Sequence, residues 1–301
     1  MPEIIIHGAS SFLGRHFSQK LMSEKHSFTV IARRTSNINY LNGYEKVNCI
    51  LYNHSLDEVS NSTNLPNKPT FIEFSWNGVF GTERNNFEQI SINIPLIISS
   101  INLARRLHCK HWIGFGSQAE YGNLDKTISE SDECNPVTMY GKAKYYCSQI
   151  SKDLCSSLNI NHSWLRLFSV YGPDDNHEWL IIYLIKKMLL NESIDVTKGN
   201  QKWDYLYVED IISMLLKLVN TNGTGIANLG SGNAIQIKSI IEKIKILTNS
   251  QSIINYGAVP YRRDQVMSME ADITRLKTQT GWNPTTTIEE GLLKTINSLK
   301  M

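Results

Sequence analysis

The stretch HGASSFLG at residues 7–14 decides the fold of this chain. Three isoleucines precede it, an unbroken apolar run that is typical of a strand buried on both faces of a parallel sheet. Apolar side chains follow it at helical spacing and predict a helix packed on that sheet through Phe12, Leu13, Phe17 and Leu21. FTVIA at 28–32 reads as a second strand, because it is rich in residues that favour strands. The N-terminal part is therefore predicted to be a βαβ unit.

The glycines of this stretch point to a phosphate ligand. Gly8 lies at the turn, and Gly14 lies at the helix start, where a side chain would hold helix and strand apart. Free backbone N–H groups at a helix start face a pyrophosphate, and the hydroxyl of Ser11, which replaces the usual middle glycine, can donate to it. A turn without a ligand is the alternative. The βαβ context favours a dinucleotide, which we expect to contact Gly8, Ser10, Ser11, Phe12, Leu13 and Gly14.

The end of the second strand indicates which dinucleotide is bound. NAD-binding proteins carry an Asp or Glu about 20 residues after the glycines, where it accepts from the ribose 2′-OH. This chain has Arg33 and Arg34 there, followed by two hydroxyl residues. Guanidinium groups suit a 2′-phosphate dianion, so we expect NADP(H) rather than NAD(H). The alternative is a pair of solvated surface arginines.

Composition excludes several classes of function. The 301 residues are 41% hydrophobic and 19% charged, with a net charge of +2, which is typical of a soluble globular protein and favours neither nucleic acid nor a membrane as a partner. Five scattered cysteines without CxxC spacing predict free thiols in a reducing compartment and no metal site. The start does not resemble a signal peptide, and the apolar patch at 179–190 is too short to span a bilayer. We expect a cytoplasmic protein.

Two later segments carry residues suited to proton transfer. HWIGFGSQAEYG at 111–122 predicts a strand whose end places Ser117 at the carboxyl edge of the sheet. NPVTMYGKAKYYCSQI at 135–150 predicts a helix on which Tyr140 and Lys144 share one face. A neighbouring lysine stabilises the phenolate of a tyrosine, and a serine hydroxyl can hold the substrate oxygen. Such a trio can protonate a carbonyl oxygen while hydride reaches its carbon. A helix with a surface lysine is the alternative.

These motifs together resemble the extended short-chain dehydrogenase/reductases that act on nucleotide sugars. The resemblance covers nearly the whole chain and includes, in order, GASSFLG, GSQAEYG, YGKAK, RLFSVYGP, WDYLYVEDI, ANLGSG and GWNP. It implies a Rossmann-like α/β fold, a doubly wound parallel sheet with a smaller C-terminal substrate-binding α/β lobe. The NADP-binding domain would span 1–167 and the lobe mainly 168–301, with a segment at about 203–232 returning to the first domain.

The resemblance also implies roles for individual residues. Ser117, Tyr140 and Lys144 would be catalytic, with Tyr140 as the acid/base, and both Tyr140 and Lys144 would contact the cofactor. Further cofactor contacts would come from Asn53, Phe74 and Ser75, and substrate contacts from Trp76, Asn77, Gln118, Ser169 and Arg262. Trp76 is alternatively a core aromatic residue, and Arg262 or Arg263 a solvated loop residue. After residue 167 the pattern predicts few strands. Ser11, Arg33 and Ser169 depart from the family's usual residues.

The reaction that this resemblance implies is a reduction. GAVPYRRDQVMSMEAD at 257–272, followed by GWNP, is similar to C4 reductases that form fucose- or abequose-type deoxysugars for polysaccharide precursors. NADPH would reduce C4 of a nucleotide-activated 4-keto-6-deoxyhexose, and Tyr140 would protonate the oxygen. A C4 epimerase with retained NAD and a non-catalytic NADP-binding scaffold are the alternatives. GSQAEYG lacks the Asp-Glu pair of dehydratases, and Glu120 is expected to point away from the site if this turn is extended.

Apolar stripes lie on the predicted helices near 86–108 and 138–158. In the family that this chain resembles, this pair of helices forms a four-helix dimer interface, so the resemblance implies a homodimer. Core packing against the sheet accounts for part of each stripe.

Overall fold

The structure is a computed structural model that describes residues 3–59, 68–262 and 265–300. Its strands are β1 (Ile4–His7), β2 (Phe28–Arg33), β3 (Val47–Tyr52), β4 (Thr70–Glu73), β5 (His111–Ser117), β6 (Lys126–Ile128), β7 (Asn161–Leu167), β8 (Ser169–Tyr171), β9 (Ile194–Val196), β10 (Lys202–Tyr207), β11 (Gly225–Leu229), β12 (Ala234–Gln236), β13 (Ile254–Tyr256) and β14 (Ser268–Ala271). Its helices are α1 (Phe12–Ser23), α2 (Glu88–Ser91), α3 (Asn93–Arg106), α4 (Met139–Ser157), α5 (Leu180–Leu189), α6 (Val208–Leu218), α7 (Ile237–Thr248), α8 (Thr274–Thr280) and α9 (Ile288–Lys300).

The main sheet has the strand order β11-β7-β5-β4-β1-β2-β3, and every neighbouring pair in it is parallel. The order reverses at β1: β2 and β3 lie on one side of it, and the later strands β4, β5 and β7 lie on the other. Doubly wound sheets bind their ligands at the carboxyl ends of the strands beside such a reversal. The predicted doubly wound α/β fold is therefore confirmed, and it directs attention to the ends of β1 and β4.

The sheet is buried on both faces, which explains the unbroken isoleucine run. Ile4 and Ile6 belong to one core cluster, which includes Phe17 and Leu21 of α1. Ile5 belongs to a second cluster on the opposite face, where α3 and α4 contribute apolar side chains. Of the four α1 residues predicted to pack on the sheet, Phe17 and Leu21 are fully buried, whereas Phe12 and Leu13 are only half-buried.

The C-terminal half contains more strands than its sequence pattern predicts. β10 pairs with β8, β12 and β14, β14 pairs in turn with β6, and β9 pairs with β13. The expectation of few strands after residue 167 is thus wrong, because strands of three to six residues are too short to show a clear period. β11 also joins the main sheet beside β7. The division of the chain at residue 167 remains a prediction.

In the described residues, no helix is both long enough and apolar enough to cross a membrane.

Candidate active site

The turn after β1 is built so that only glycine fits at its two ends. Gly8 has φ +85°, and a Cβ there would lie 2.6 Å from the backbone nitrogen of Ser75. A Cβ on Gly14 would overlap the carbonyl oxygen of Gly8. Ser11 caps α1, and its Oγ accepts from the N–H of Gly14 at 3.1 Å, so its own hydroxyl hydrogen can still donate to a ligand. The predicted dinucleotide loop thus has the tight approach between helix, turn and β4 that a pyrophosphate cradle requires.

The other predicted contacts of the adenosine end lie beside this turn. Ser10 is exposed within the turn, Arg33 and Arg34 are exposed at the end of β2, and Asn53 is exposed directly after β3. Arg33 is the register partner of Tyr52, so the arginine pair and Asn53 meet at neighbouring strand ends. Their positions fit the phosphate and adenosine end of a dinucleotide whose pyrophosphate lies on α1.

A buried polar network, which the sequence analysis did not single out, lies where the sheet order reverses. Nδ1 of His7 is 2.7 Å from the Glu73 carboxylate, and Nε2 of His7 is 2.9 Å from the Tyr52 hydroxyl. The N–H of Ser75 donates to the same carboxylate at 2.8 Å. The network ties the ends of β1, β3 and β4 together, directly beside Gly8. The sequence feature that could have indicated this network is a polar or charged residue, His7 or Glu73, at the end of each of two otherwise apolar strands.

The three predicted catalytic residues come together at the carboxyl edge of the sheet. Ser117 ends β5, and Tyr140 and Lys144 lie one turn apart near the start of α4, which is capped by Thr138. Their exposed fractions are 7%, 9% and 5%, so all three are shielded from solvent. The Ser117 hydroxyl lies beside the Tyr140 phenol and lowers its pKa. The arrangement can hold a carbonyl oxygen beside a proton donor.

Burial and neighbouring charges set the titration of the pair. Burial raises the pKa of Tyr140, and the charge of Arg84 and the hydrogen bond with Ser117 oppose that rise. Burial lowers the pKa of Lys144 to about 7. The Lys144 ammonium donates to the carbonyl of Phe115 at 2.8 Å, and it lies 3.4 Å from the ring centroid of Trp76, a cation–π contact.

Trp76 belongs both to the core and to the site. Its ring packs against the second core cluster and covers Lys144, and it forms a T-shaped contact with the Tyr140 ring, with 6.0 Å between the ring centroids. The indole N–H donates to Gln89 at 3.0 Å, and the backbone of Asn77 is bonded in both directions to the Asn93 side chain. Two buried amides on neighbouring helices therefore fix Trp76 and Asn77 in place. The sequence feature that could have indicated these two amides is the spacing of Gln89 and Asn93, four residues apart in a largely apolar stretch.

Glu120 points into the protein, although the turn that carries it, Gln118–Glu120, is a 3₁₀ turn and not the extended segment on which the expectation rested. Its carboxylate accepts from the N–H of Ser117 at 3.0 Å, from Nε1 of Trp164 at 2.9 Å and from Nε of Arg166 at 2.7 Å. The side chain is fully buried. All of its bonds are internal to the protein, so Glu120 shapes the turn that carries Ser117 and presents no carboxylate to a substrate.

The remaining predicted residues are placed less tightly. Gln118 is half-buried beside Ser117, and Ser169 is half-buried in β8. The Phe74 ring stacks on Phe115 in the core at 4.9 Å, so a cofactor contact by Phe74 would use its backbone. Arg262 is exposed, and within the described residues no hydrogen bond links it or Ser169 to the catalytic residues; Arg263 lies outside the described residues. The described residues contain no cluster of three or more His, Cys, Asp or Glu suited to a metal ion.

Comparison with known proteins agrees with this geometry. The model of the NAD-dependent epimerase/dehydratase family matches residues 4–230. CDP-abequose synthase from Salmonella muenchen is 30% identical over 98% of this chain and 97% of its own. The dTDP-4-dehydro-6-deoxyglucose reductase of Escherichia coli is 27% identical over 60% of this chain and 58% of its own. A solved structure, MoeE5 in complex with UDP-glucuronic acid and NAD, covers 99% of both chains with a TM-score of 0.85 and 20% identity. The chain therefore belongs to the NAD-dependent epimerase/dehydratase family, whose members modify nucleotide sugars with a nicotinamide cofactor.

Proposed function

We propose that this protein uses NADPH to reduce the C4 ketone of a nucleotide-diphospho-4-keto-6-deoxyhexose. The observation that carries the proposal is the buried group of Ser117, Tyr140 and Lys144 at the carboxyl edge of the sheet, the edge on which the glycine-rich turn also lies. The similarity to a CDP-abequose synthase over nearly the full length of both chains supports a deoxysugar as the product. The similarity to a dTDP-4-dehydro-6-deoxyglucose reductase supports reduction as the reaction.

The site residues would divide the work of the reduction among them. Bound NADPH supplies the hydride that reaches C4. The Ser117 hydroxyl donates to the substrate carbonyl oxygen and holds it beside the Tyr140 phenol. Tyr140 transfers its proton to that oxygen as negative charge develops there, and the Lys144 ammonium stabilises the phenolate that remains. Their burial keeps water from competing for these hydrogen bonds.

The proposed choice of NADPH rests on the strand ends beside the glycine-rich turn. Arg33 and Arg34 are exposed there, and within the described residues neither forms an ion pair with a carboxylate. Two unneutralised guanidinium groups suit the 2′-phosphate. A cofactor that arrives reduced and leaves oxidised also suits a net reduction. Around the sugar, Trp76, Asn77, Gln118, Ser169 and Arg262 are the proposed contacts.

C4 epimerisation with a retained NAD is the second candidate. A structure of the same fold was solved with NAD and a UDP-sugar, and the same Ser-Tyr-Lys group can serve both directions of hydride transfer. The two candidates differ in the fate of the cofactor, since an epimerase returns its hydride to the sugar and a reductase does not.

The test follows absorbance at 340 nm with purified protein and CDP- or dTDP-4-keto-6-deoxyglucose generated in situ. We expect NADPH oxidation with one of these substrates, little with NADH, and none with Tyr140→Phe, whose NADPH binding should persist. Tightly held NAD released on denaturation, with no net oxidation of NADPH, would favour the epimerase. Equal rates in wild type and Tyr140→Phe would remove Tyr140 from its proposed role.

A further inference from the structure

We propose that Arg84 is a positioning residue of this active site, and that its guanidinium, which lies over the Tyr140 ring, stabilises the phenolate formed when Tyr140 gives up its proton. The inference rests on the proposed function, because it concerns the same proton transfer. The proton moves from the Tyr140 hydroxyl to the oxygen at C4 of the sugar. That oxygen receives the electron pair of the C=O π bond as hydride reaches the carbon. Tyr140 is left with one negative charge, which Arg84 faces.

The contact itself is close and specific. The guanidinium carbon of Arg84 lies 4.1 Å from the centroid of the Tyr140 ring. This position over the ring lets the cation interact with the ring face, and the interaction strengthens when the ring carries the negative charge of a phenolate. Arg84 is half-buried, so solvent screens this interaction less than it would on an open surface.

The backbone around Arg84 is held at this position by the site's own elements. Arg84 lies in a 3₁₀ turn, Gly81–Asn85, between β4 and α2. Gln89 donates to the carbonyl of Glu83 in that turn at 3.1 Å, and it also accepts from the Trp76 indole. Asn85 accepts from the N–H of Met139, the residue before Tyr140, at 3.3 Å. The turn is therefore fixed both to α4 and to the residue that covers Lys144.

Charge around the phenol explains why a second cation is useful. Four groups act on the Tyr140 phenol from the elements packed against it: Arg84 from the 3₁₀ turn, Ser117 from β5, Glu120 from the turn after β5 and Lys144 from α4 itself. Arg84 and Ser117 lower the pKa of Tyr140, whereas Glu120 raises it. Because the pKa of Lys144 is about 7, its ammonium is partly lost at neutral pH. An arginine stays charged over this range and supplies a constant positive charge.

Arg84 is also free to act on the phenol. In the described ranges, no carboxylate forms an ion pair with it, although Glu83 precedes it in sequence. Its charge is thus not neutralised within that part of the protein and faces the ring of the proton donor.

The test compares Arg84→Gln and Arg84→Lys with Arg105→Gln, which removes an exposed arginine at the end of α3. The first measurement is the titration of Tyr140 by NMR of protein labelled with [¹³Cζ]tyrosine, with the resonance assigned by its absence in Tyr140→Phe. We expect Arg84→Gln to raise the pKa of Tyr140 by about one unit, Arg84→Lys by less, and Arg105→Gln to leave it unchanged. This measurement needs no substrate, so it does not depend on the proposed reduction.

The second measurement is the pH profile of kcat for NADPH oxidation. Reduction needs the protonated phenol, so activity falls as pH rises through the pKa of Tyr140, and that alkaline limb should move upward in Arg84→Gln. We also expect kcat at pH 7 to fall about tenfold with the KM for NADPH unchanged. An unchanged Tyr140 titration in Arg84→Gln would overturn the inference. It would do so even if the variant raised the KM for the sugar. A shifted titration in a protein without reductase activity would uphold the inference about Tyr140 and reject the proposed reaction.

Discussion

Lys144 is a buried cation whose nearest stabilising partners are a backbone carbonyl and an aromatic ring. Neither partner carries a formal negative charge, so burial dominates and lowers the pKa to about 7 from 10.5. Between those two pH values the unfolded chain binds a proton that the folded protein has lost. The free energy of unfolding therefore rises with pH across this window, and the cost of burying the charge is fully present below pH 7.

We predict that Lys144→Met stabilises the protein relative to wild type most strongly below pH 7. Its advantage should shrink by about 2–3 kcal/mol between pH 7 and pH 9, since one pKa unit corresponds to about 1.4 kcal/mol. Urea unfolding of both proteins without cofactor at pH 6, 7 and 9 measures the difference between their free energies of unfolding, in which the titrations of groups other than Lys144 cancel. A difference that does not change with pH would contradict the low pKa.

The proposed preference for NADPH rests on a second pair of residues, Arg33 and Arg34. We predict that Arg33→Gln/Arg34→Gln raises the KM for NADPH about a hundredfold or more, because it removes two charged hydrogen bonds that contribute about 1.5–3 kcal/mol each. The KM for NADH should not change, and Arg105→Gln should affect neither cofactor. Steady-state kinetics with both cofactors checks this. Equal weakening of NADH and NADPH would argue against a 2′-phosphate site.

For single residues, contacts could be predicted from the sequence where the two residues lie near each other in the chain. The spacing of Tyr140 and Lys144 on one helix turn was enough to expect them side by side. The network of His7, Tyr52 and Glu73 joins residues as many as 66 positions apart, so it appears only when the strands are paired. Arg84 was missed for the same reason, since its ring partner lies on another element.

The turn after β5 shows how one buried carboxylate can shape an element. Glu120 bonds the backbone of Ser117 and pairs with Arg166 inside the protein. We predict that Glu120→Gln destabilises the protein by about 3–5 kcal/mol, the usual effect of leaving a buried charge without its partner. Chemical denaturation measures the loss. The matched control is Glu209→Gln, which breaks an exposed ion pair with Lys294 and should cost less than about 1 kcal/mol.

The contrary result would also be informative for the chemistry. If Glu120→Gln kept wild-type stability and lost only activity, the Glu120 carboxylate would serve the site through the turn that carries Ser117 and not the stability of the fold.

The elements of the N-terminal half could be predicted because long apolar runs and helical spacing dominate there. FTVIA at 28–32 became β2 (Phe28–Arg33), and the helix expected near 138–158 became α4 (Met139–Ser157). The helix expected near 86–108 is instead divided at Ile92 into α2 and α3. Pro95 has no N–H to donate to the carbonyl of Ser91, so the helical hydrogen bonds are interrupted there. The side chains of Gln89 and Asn93, on either side of the division, bond the 77–78 backbone, a tertiary contact that apolar periodicity does not report.

Over the whole molecule, the order of the parallel strands brings sequence-distant site residues to one edge. The glycine-rich turn, Ser75 and Ser117 follow or end neighbouring strands of a single sheet, so the pairing of β1, β4 and β5 is enough to align them. Tyr140 and Lys144 reach the same edge because α4 packs on that sheet beside α3. The strand order of the main sheet could be inferred from the family resemblance of the whole series of motifs. The pairings of the short strands β9, β12, β13 and β14 could not.

The same two helices leave apolar side chains partly exposed on the outside of the molecule. Ile94 and Ile98 of α3 and Ile150 and Leu154 of α4 are half-buried, and Tyr146 of α4 is 47% exposed. A second copy of this pair would cover these groups, so we predict a homodimer in solution. Light scattering after size exclusion should give twice the chain mass of 34.3 kDa.

A charged substitution on this face should break the dimer without unfolding the chain. We expect Ile98→Glu/Ile150→Glu to run at the monomer mass, because two carboxylates would have to be buried against their symmetry copies. Ile246→Glu on α7 is the control, since Ile246 is 76% exposed on a different face and its substitution should leave the mass unchanged. Wild-type protein at 34.3 kDa at micromolar concentration would reject the dimer. If the α3–α4 variant stayed dimeric while folded, the interface would lie elsewhere on the molecule.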